Sequence, residues 1–534
     1  MTHFFDLPRE LRDQIYAQYV IIDGGYILDF NSNTLKAANN ERIDLAFMLT
    51  CKAIAKELKP IPFLVNTLNF STVQPEEHRA TTGRFGCLLA AVHMLPGETL
   101  HRIFPDTLSV PDDVWEEISK VDPKFAPYVE AIKGRSAKVP HRVHGRRMYR
   151  NVGPSGSCGE TPSVFRKFAH SAVRIILDHK DRLDPEQYAK FNGFEGLVDV
   201  HLDPWEIPTP KRLEELVSYL PKELAERLSR RWGMTTTHFL NPSLIKWRYS
   251  AAAAAIRFLK SLSKESRSDI RNIILREERI SVGFTECHGL GLIPFCQENP
   301  RLRVERRVSM WRMVLPTTMT FHNIQGIAME IRTDEYSITK QASYQVALWV
   351  MEALETQRAG MPPGSFTLTL EGDSSCSELF REMVQWNAAW QEAVDLCLER
   401  NILPPLRWDV RRRDARDWSY ALNHYLYIPQ PDDPDGEHDV SDNSWYVCEG
   451  FPQMIHDIVA GTSLVKCDFN VDGEWDVECL IEESKEWTMH QWKRGWYEYL
   501  SKQHFHPDPP LPNWWQLLAE DTTEPGFPRV FPRP

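Results

Sequence analysis

The first apolar positions of the chain, Leu7, Leu11, Ile15 and Tyr19, recur every fourth residue, the spacing that lines side chains into one stripe of an α-helix. Pro8 suits the first turn of that helix, where a backbone N–H would lack a partner anyway, and Asp6 and Glu10 suit its positive end. Gly24-Gly25 and Asn31-Ser32-Asn33 read as a loop, after which a second helix is expected from Asp44 to Lys59. Its apolar face is Phe47, Cys51, Ile54 and Leu58, backed by Leu45, Met48 and Leu49, with Lys52, Lys56 and Glu57 toward water. Pro60 and Pro62 stop it, and Asn66 to Phe70 alternates like a short strand. Two helices cannot bury that much apolar surface between them. Either the rest of the chain covers it or a partner does.

Further along, helical and extended patterns alternate. Val173–Leu177, Gly196–Leu202, Ile270–Leu275, Gly326–Ile331 and Phe366–Leu370 read as strands; Ala251–Leu262, Gln341–Arg358 and Ser377–Arg400 read as helices. The class expected from this rhythm is α+β: an α/β-rich body with a small helical module at its N-terminus. Arg174–Leu177, echoed by Arg271–Leu275, suggests irregular leucine-rich-like helix/strand repeats, though no fixed period supports a regular solenoid. The expected units are a helical module at 1–75, variable loops with a basic segment at 76–165, the α/β body at 166–429, an acidic linker at 430–444, a hairpin plus amphipathic helix at 445–504 and a Pro-rich tail at 505–534. Of 17 tryptophans, 13 follow residue 310, and the i, i+4 pairs Trp386/Trp390 and Trp492/Trp496 read as core rather than as a ligand platform.

The run Leu7-Pro8-Arg9-Glu10-Leu11 with Ile15, followed by Leu49-Thr50-Cys51-Lys52 and by Asn66-Thr67-Leu68-Asn69-Phe70, resembles the F-box-like module of many filamentous-fungal proteins. Gly291 to Arg303 resembles a segment shared by large members of that group. The resemblance covers about 70 residues, with some 60 more around the second segment. It implies that the apolar stripes of the first helices dock on a Skp-type adaptor of a cullin–RING ubiquitin ligase. That role would fall on Leu7, Pro8, Leu11, Ile15, Leu49, Cys51 and Ile54. Two features depart from the family pattern: a long connection between the helices, and Ile54 where many F-boxes carry tryptophan.

Charge and composition narrow the partners. The net charge is −12, which disfavours wholesale phosphate binding, so nucleic acid is not an expected partner. No apolar run reaches the roughly 18 residues of a membrane span, and Asp6, Arg9 and Glu10 interrupt the apolar start that a secretory signal needs. The expectation is a cytoplasmic or nuclear protein with free thiols, since none of the ten cysteines forms a C-x-x-C pair.

No cofactor or metal is expected. Asp468-x-Asn470-x-Asp472-Gly473 begins like a calcium loop but has Cys479 where a bidentate Glu belongs, so Leu464–Val471 and Glu474–Ile481 read as a hairpin. Cys287, His288 and Cys296 lack the fourth ligand of a zinc site and read as buried thiols beside a loop histidine. Gly153–Gly159 lacks the endings of a P-loop or a hydrolase elbow, and Lys133–Arg150 reads as a solvated basic loop. Three readings stay open: a non-enzymatic F-box-like adaptor subunit, an interaction protein whose helical cap is buried on its own body, and an enzyme. The last would need a pocket gathering His, Cys and carboxylates from distant residues.

Overall fold

The computed structural model describes residues 4–39, 42–75, 79–102, 110–126, 129, 161–185, 195–218, 246–315, 335–403, 447–471, 473, 475–488, 491–492 and 494–496. Its strands are β1 (Tyr26–Asp29), β2 (Thr34–Ala37), β3 (Thr67–Ser71), β4 (Asn272–Glu277), β5 (Arg303–Ser309), β6 (Phe366–Glu371) and β7 (Val465–Cys467). They form one seven-stranded sheet in the order β2-β1-β3-β4-β5-β6-β7. The β1–β2 pair is antiparallel and all other neighbours are parallel. From β3 onward spatial order follows chain order, so each helical crossover returns the chain one strand further along. The main helices are α1 (Arg9–Val20), α2 (Lys52–Leu58), α3 (Ile61–Val65), α4 (Arg79–Arg102), α5 (Pro162–Asp178), α6 (Ala251–Ser261), α7 (Glu335–Arg358), α8 (Trp386–Glu399), α9 (Phe451–Val459) and α10 (Val477–Ser484). The fold is mixed α and β, as the alternation predicts.

The two faces of the sheet differ because side chains alternate along each strand. One buried row runs Leu68, Ile273, Val304, Phe366; the next runs Phe70, Leu275, Arg306, Leu368, Val465. Helix α6 packs on this face against β3 and β4, and its buried Ala251–Ala255 run lets it sit close. Ser250 caps it, with Oγ accepting from the Ala253 N–H at 2.9 Å. The opposite face carries Asn69, Ile274, Glu305 and Thr367, then Ser71, Arg276, Arg307, Thr369 and Lys466. There Arg307 bridges Glu305 at 2.9 Å and Glu371 at 3.3 Å.

Several sequence expectations change. The loop from Gly24 to Asn33 opens into the β1–β2 hairpin, whose turn is held by Asp29 accepting from the Asn31 and Ser32 N–H groups. The helix expected over Asp44–Lys59 is broken at Cys51, which is extended at φ −158° and ψ 160° and caps α2 with its sulfur. Pro60 then starts α3 instead of ending helical structure. Val173–Leu177 is the last part of α5, and its echo at Arg271–Leu275 runs into β4, so the two are not repeats of one element. Gly196–Leu202 holds a helical turn, Glu195–Val198, and no strand. Of the expected second hairpin, β7 forms, but in place of the second strand, expected over Glu474–Ile481, Val477–Ile481 lie in α10, which Asp476 caps by accepting from the Cys479 N–H at 2.9 Å. Asp468 bonds instead to the Gly372 N–H at 2.8 Å, joining the ends of β6 and β7.

The expectations for Ile270–Leu275, Phe366–Leu370, Ala251–Leu262 and Gln341–Arg358 correspond to β4, β6, α6 and α7. Ser377–Arg400 is helical through a π-turn at Phe380–Gln385. The tryptophan pairs are core, Trp386 stacking on Trp390 at 5.0 Å beside the buried Trp492 and Trp496. Because β1, β2 and β3 pair into the body's sheet, the N-terminal seventy residues are not a detached unit. Gly326–Ile331, Lys133–Arg150, Gly153–Gly159, the acidic linker and the Pro-rich tail lie outside the described residues.

Candidate interaction surface

Helix α1 is fastened to α2 by an ionic clamp. Arg12 Nη2 and Nε donate to the two oxygens of Glu57 at 2.8 and 3.0 Å, and the Tyr16 hydroxyl donates to the same carboxylate at 3.0 Å. The hydrogen bond from Arg12 is the main reason the Glu57 carboxyl is held down to about 2. Burial, reinforced by Glu57, pushes the Tyr16 hydroxyl up to about 12. Beneath the clamp Tyr16, Val20, Ile54, Leu58 and Ile61 form a small core. The Phe47 ring closes one end of it against Tyr16 at 5.6 Å and Tyr19 at 5.3 Å.

Because α1 turns Tyr16 and Val20 inward, its Leu11 and Ile15 face elsewhere, and Leu7 lies just before the helix. Leu11 is 45% exposed and Ile15 42%, with Leu7 half-buried and Pro8 exposed. Leu49, at the end of the short turn Phe47–Leu49, is 83% exposed, and Cys51 beside it is exposed too. Ile54 alone among the seven expected docking residues belongs to the core, at 7%. Phe5 and Leu45 are exposed apolar residues that the sequence reading did not assign to the docking set. Of nine exposed large apolar side chains among the described residues, seven lie within the first 49 positions, which concentrates the unpartnered apolar surface on this part of the molecule.

The second segment of family resemblance has a structural place. Gly291–Leu302 is the second half of the crossover from β4 to β5 and Arg303 opens β5, with Ile293, Cys296 and Leu302 in the main core. Asn299 secures it by donating to the carbonyls of Arg267 and Ile270 at 3.0 and 2.8 Å.

The candidate chemistry near Cys287 resolves in the same direction. His288 sits in a 3-10 helix, Thr285–Leu292, and not in a loop. Its Nε2 faces the Gly283 carbonyl oxygen at 2.6 Å, which can only accept, so Nε2 carries the proton and Nδ1 accepts from Ser250 Oγ–H at 2.7 Å. The turn presenting that carbonyl needs glycine: Gly283 has φ +92°, and a Cβ there would stand 2.4 Å from the Pro204 oxygen. This Ser–His contact resembles a nucleophile and base only in composition. Both side chains are buried, and the serine oxygen is already the cap of α6. Burial pushes the Cys287 thiol far up and the Cys296 thiol to about 12, so neither is a ready thiolate. Among the described residues no group of three or more His, Cys, Asp or Glu side chains is placed to hold a metal ion.

A half-open cavity does gather His93, His170, His201, Cys287, Asp203 and Glu206, the mixture that the enzyme reading asks for. His93 Nε2 faces the Leu202 carbonyl oxygen at 2.8 Å and no nucleophile, and the Cys287 thiol is held protonated by burial.

No protein-family model, curated protein or solved structure matches the chain. Among the described residues no helix is long and apolar enough to cross a membrane.

Proposed function

We propose that this protein is a non-enzymatic interaction subunit whose N-terminal F-box-like unit docks on a Skp-type adaptor of a cullin–RING ubiquitin ligase, while the body recruits a further protein. The observation that carries this reading is the exposure of Leu11, Ile15 and Leu49 on elements whose own core is completed without them. An apolar stripe left outside a satisfied core is what a helix-docking partner requires. The same exposure weighs against a cap buried on its own body. Ile54 is the exception within the set and acts through packing. Leu45 and Phe5 extend the surface. The polar face of the sheet, with Arg276, Arg307 and Glu371 across three neighbouring strands, is the body's counterpart for a second, more polar partner.

The test is capture of a purified Skp-type adaptor by the intact chain and by Leu11→Asp/Ile15→Asp. Capture by the parent and loss in the double variant, with an unchanged circular dichroism spectrum, is the expected result. Equal capture by both would remove the F-box assignment.

A further inference from the structure

The half-open cavity, about 460 Å³ in volume, lies where α4, α5, residues 200–206 and the Thr285–Leu292 turn meet. That volume falls within the roughly 300–1,000 Å³ of small-molecule sites. Val92, Leu202, Leu290 and Trp205 give it apolar walls.

Arg166 of α5 lines the same cavity yet is only 4% exposed. Its guanidinium lies over the Phe284 ring at 4.3 Å, and its Nη2 has no hydrogen-bond partner. The nearest carboxylate, Glu352, stands 3.8 Å from Nη2, beyond hydrogen-bond reach. Glu352 instead accepts from the Ser163 N–H at 2.8 Å and from the Ser163 hydroxyl at 2.7 Å. A buried cation met by the Cys287 side chain and by Glu352 only beyond hydrogen-bond reach stays under-compensated, and an oxyanion in the cavity adds a counter-charge beside it. Burial pushes the Glu352 carboxyl up to about 7, so it can take a proton as an anion arrives. The two carboxylates of the lining are the exposed Asp203 and the half-exposed Glu206, which leaves the buried part of the cavity to Arg166. With His93 and His170 held uncharged by burial and Lys167 and His201 exposed, Arg166 is the one buried cation among the described lining residues, which fits a monoanion with an apolar body better than a phosphate dianion.

We propose that this cavity binds a small organic carboxylate, its carboxylate group on Arg166 and its apolar body against Val92, Leu202, Leu290 and Trp205. The site is separate from the N-terminal surface and stands whether or not that surface binds an adaptor.

The experiment is calorimetric titration of the full chain with benzoate, with benzamide as the uncharged shape match and with inorganic phosphate, all at one ionic strength. Saturable benzoate binding is expected, with benzamide weaker by about tenfold or more and phosphate silent. Arg166→Gln should abolish the benzoate heat. Since a change at a buried cation can unfold the chain, Ser171→Trp, at a half-exposed lining position, is the second variant. It should fill the cavity and remove benzoate binding while the melting temperature stays within a few degrees of the parent. Absent benzoate binding, equal binding of benzamide, binding of phosphate in place of benzoate, or survival of benzoate binding in folded Ser171→Trp would each overturn the proposal.

Discussion

Arg306 of β5 and Glu277 of β4 form an ion pair inside the core, with Nη2 and Nε of the arginine 2.9 and 3.1 Å from one carboxylate oxygen. The remaining capacity of both groups is used. Glu277 also accepts from the Ala251 and Ala252 N–H groups at 2.9 and 3.2 Å, placing a negative charge at the positive end of α6. Arg306 donates to the carbonyls of Thr285 and Glu286 at 2.6 and 3.2 Å and lies over the Trp349 ring. Two strands, a helix and a turn are therefore held through one pair. Such a pair is tolerable in a core only because each guanidinium nitrogen and both carboxylate oxygens have a partner.

Arg306→Met is expected to destabilise the protein by about 3–5 kcal/mol, because Glu277 would be left as a buried charge that has lost its cation. Adding Glu277→Leu should cost less than the sum of the two single changes, since the orphaned charge is then removed as well. Urea denaturation of the three variants measures this. Strict additivity would show that the two residues act separately.

This pair also explains what the sequence concealed. Arg303–Ser309 does not read as a strand because its inward positions are Val304, Arg306 and Val308, and a charge on the buried face breaks the apolar alternation. Ile270–Leu275 and Phe366–Leu370 have no such interruption, and both were legible. Val173–Leu177 misled in the opposite sense. A short apolar run suits either element, and only the longer window shows Phe165, Phe168, Ala169, Ala172, Val173 and Ile176 on one helical face behind Pro162. The N-terminal docking set was legible as a stripe, but its spacing alone could not tell that Tyr16 and Val20 face inward while Leu11 and Ile15 face out. The cavity was not legible at all. Its walls come from four separate stretches, and the unmatched Nη2 of Arg166 has no signature in sequence.

The N-terminal unit should respond differently to its two kinds of apolar residue. Leu11→Asp/Ile15→Asp removes exposed side chains and is expected to change stability by about 0.5 kcal/mol per site or less. Ile54→Ala should cost about 2–4 kcal/mol, because Ile54 packs with Tyr16, Leu58 and Ile61. Denaturation midpoints distinguish them. A large loss in the Asp double variant would mean that the stripe is covered in solution.

Stability should fall in acid, in two stages. Burial holds the imidazoles of His93 at about 4 and His288 at about 3, below the ordinary 6.5, so the unfolded chain takes up protons that the folded one refuses. Their contribution is complete above about 6.5 and declines as pH drops toward those folded values. Glu352 opposes this. Its carboxyl is raised from 4.5 to about 7, so the folded state takes a proton first and gains stability as pH falls from about 7 to 4.5. His170, lowered by burial, and Glu206, raised by burial, pull in opposite directions. With two imidazoles set against the one carboxyl of Glu352, stability falls as pH drops between about 6.5 and 4.5. Below about 4.5 the opposition ends and Glu57, held at about 2, joins the loss, so the slope steepens. Glu352→Gln should steepen the upper stage by about one proton while leaving it shallower than the lower one, where Glu57 also contributes. Urea midpoints taken across pH test this, and an upper stage unchanged in the variant would contradict the assignment to Glu352.

Thiol labelling separates surface from core at single residues. Cys51 and Cys479 are exposed, whereas Cys287, Cys296, Cys376, Cys397 and Cys448 are buried. Burial raises the thiols of Cys287, Cys296, Cys376 and Cys397, which lowers their thiolate fraction in addition to hiding them. Under native conditions a maleimide should modify Cys51 and Cys479 first, with the five buried thiols reacting only in urea; peptide mass spectrometry reads each site. Cys51 carries a second consequence, because its sulfur accepts from the Ile54 N–H at 3.5 Å as the cap of α2. Serine is a stronger cap than cysteine, so Cys51→Ser should hold or raise stability by up to about 1 kcal/mol. If adaptor docking uses this position, modification of Cys51 by a bulky maleimide should block capture while Cys51→Ser keeps it. Undiminished capture by fully Cys51-modified protein would place the docking surface away from the turn between Leu49 and α2.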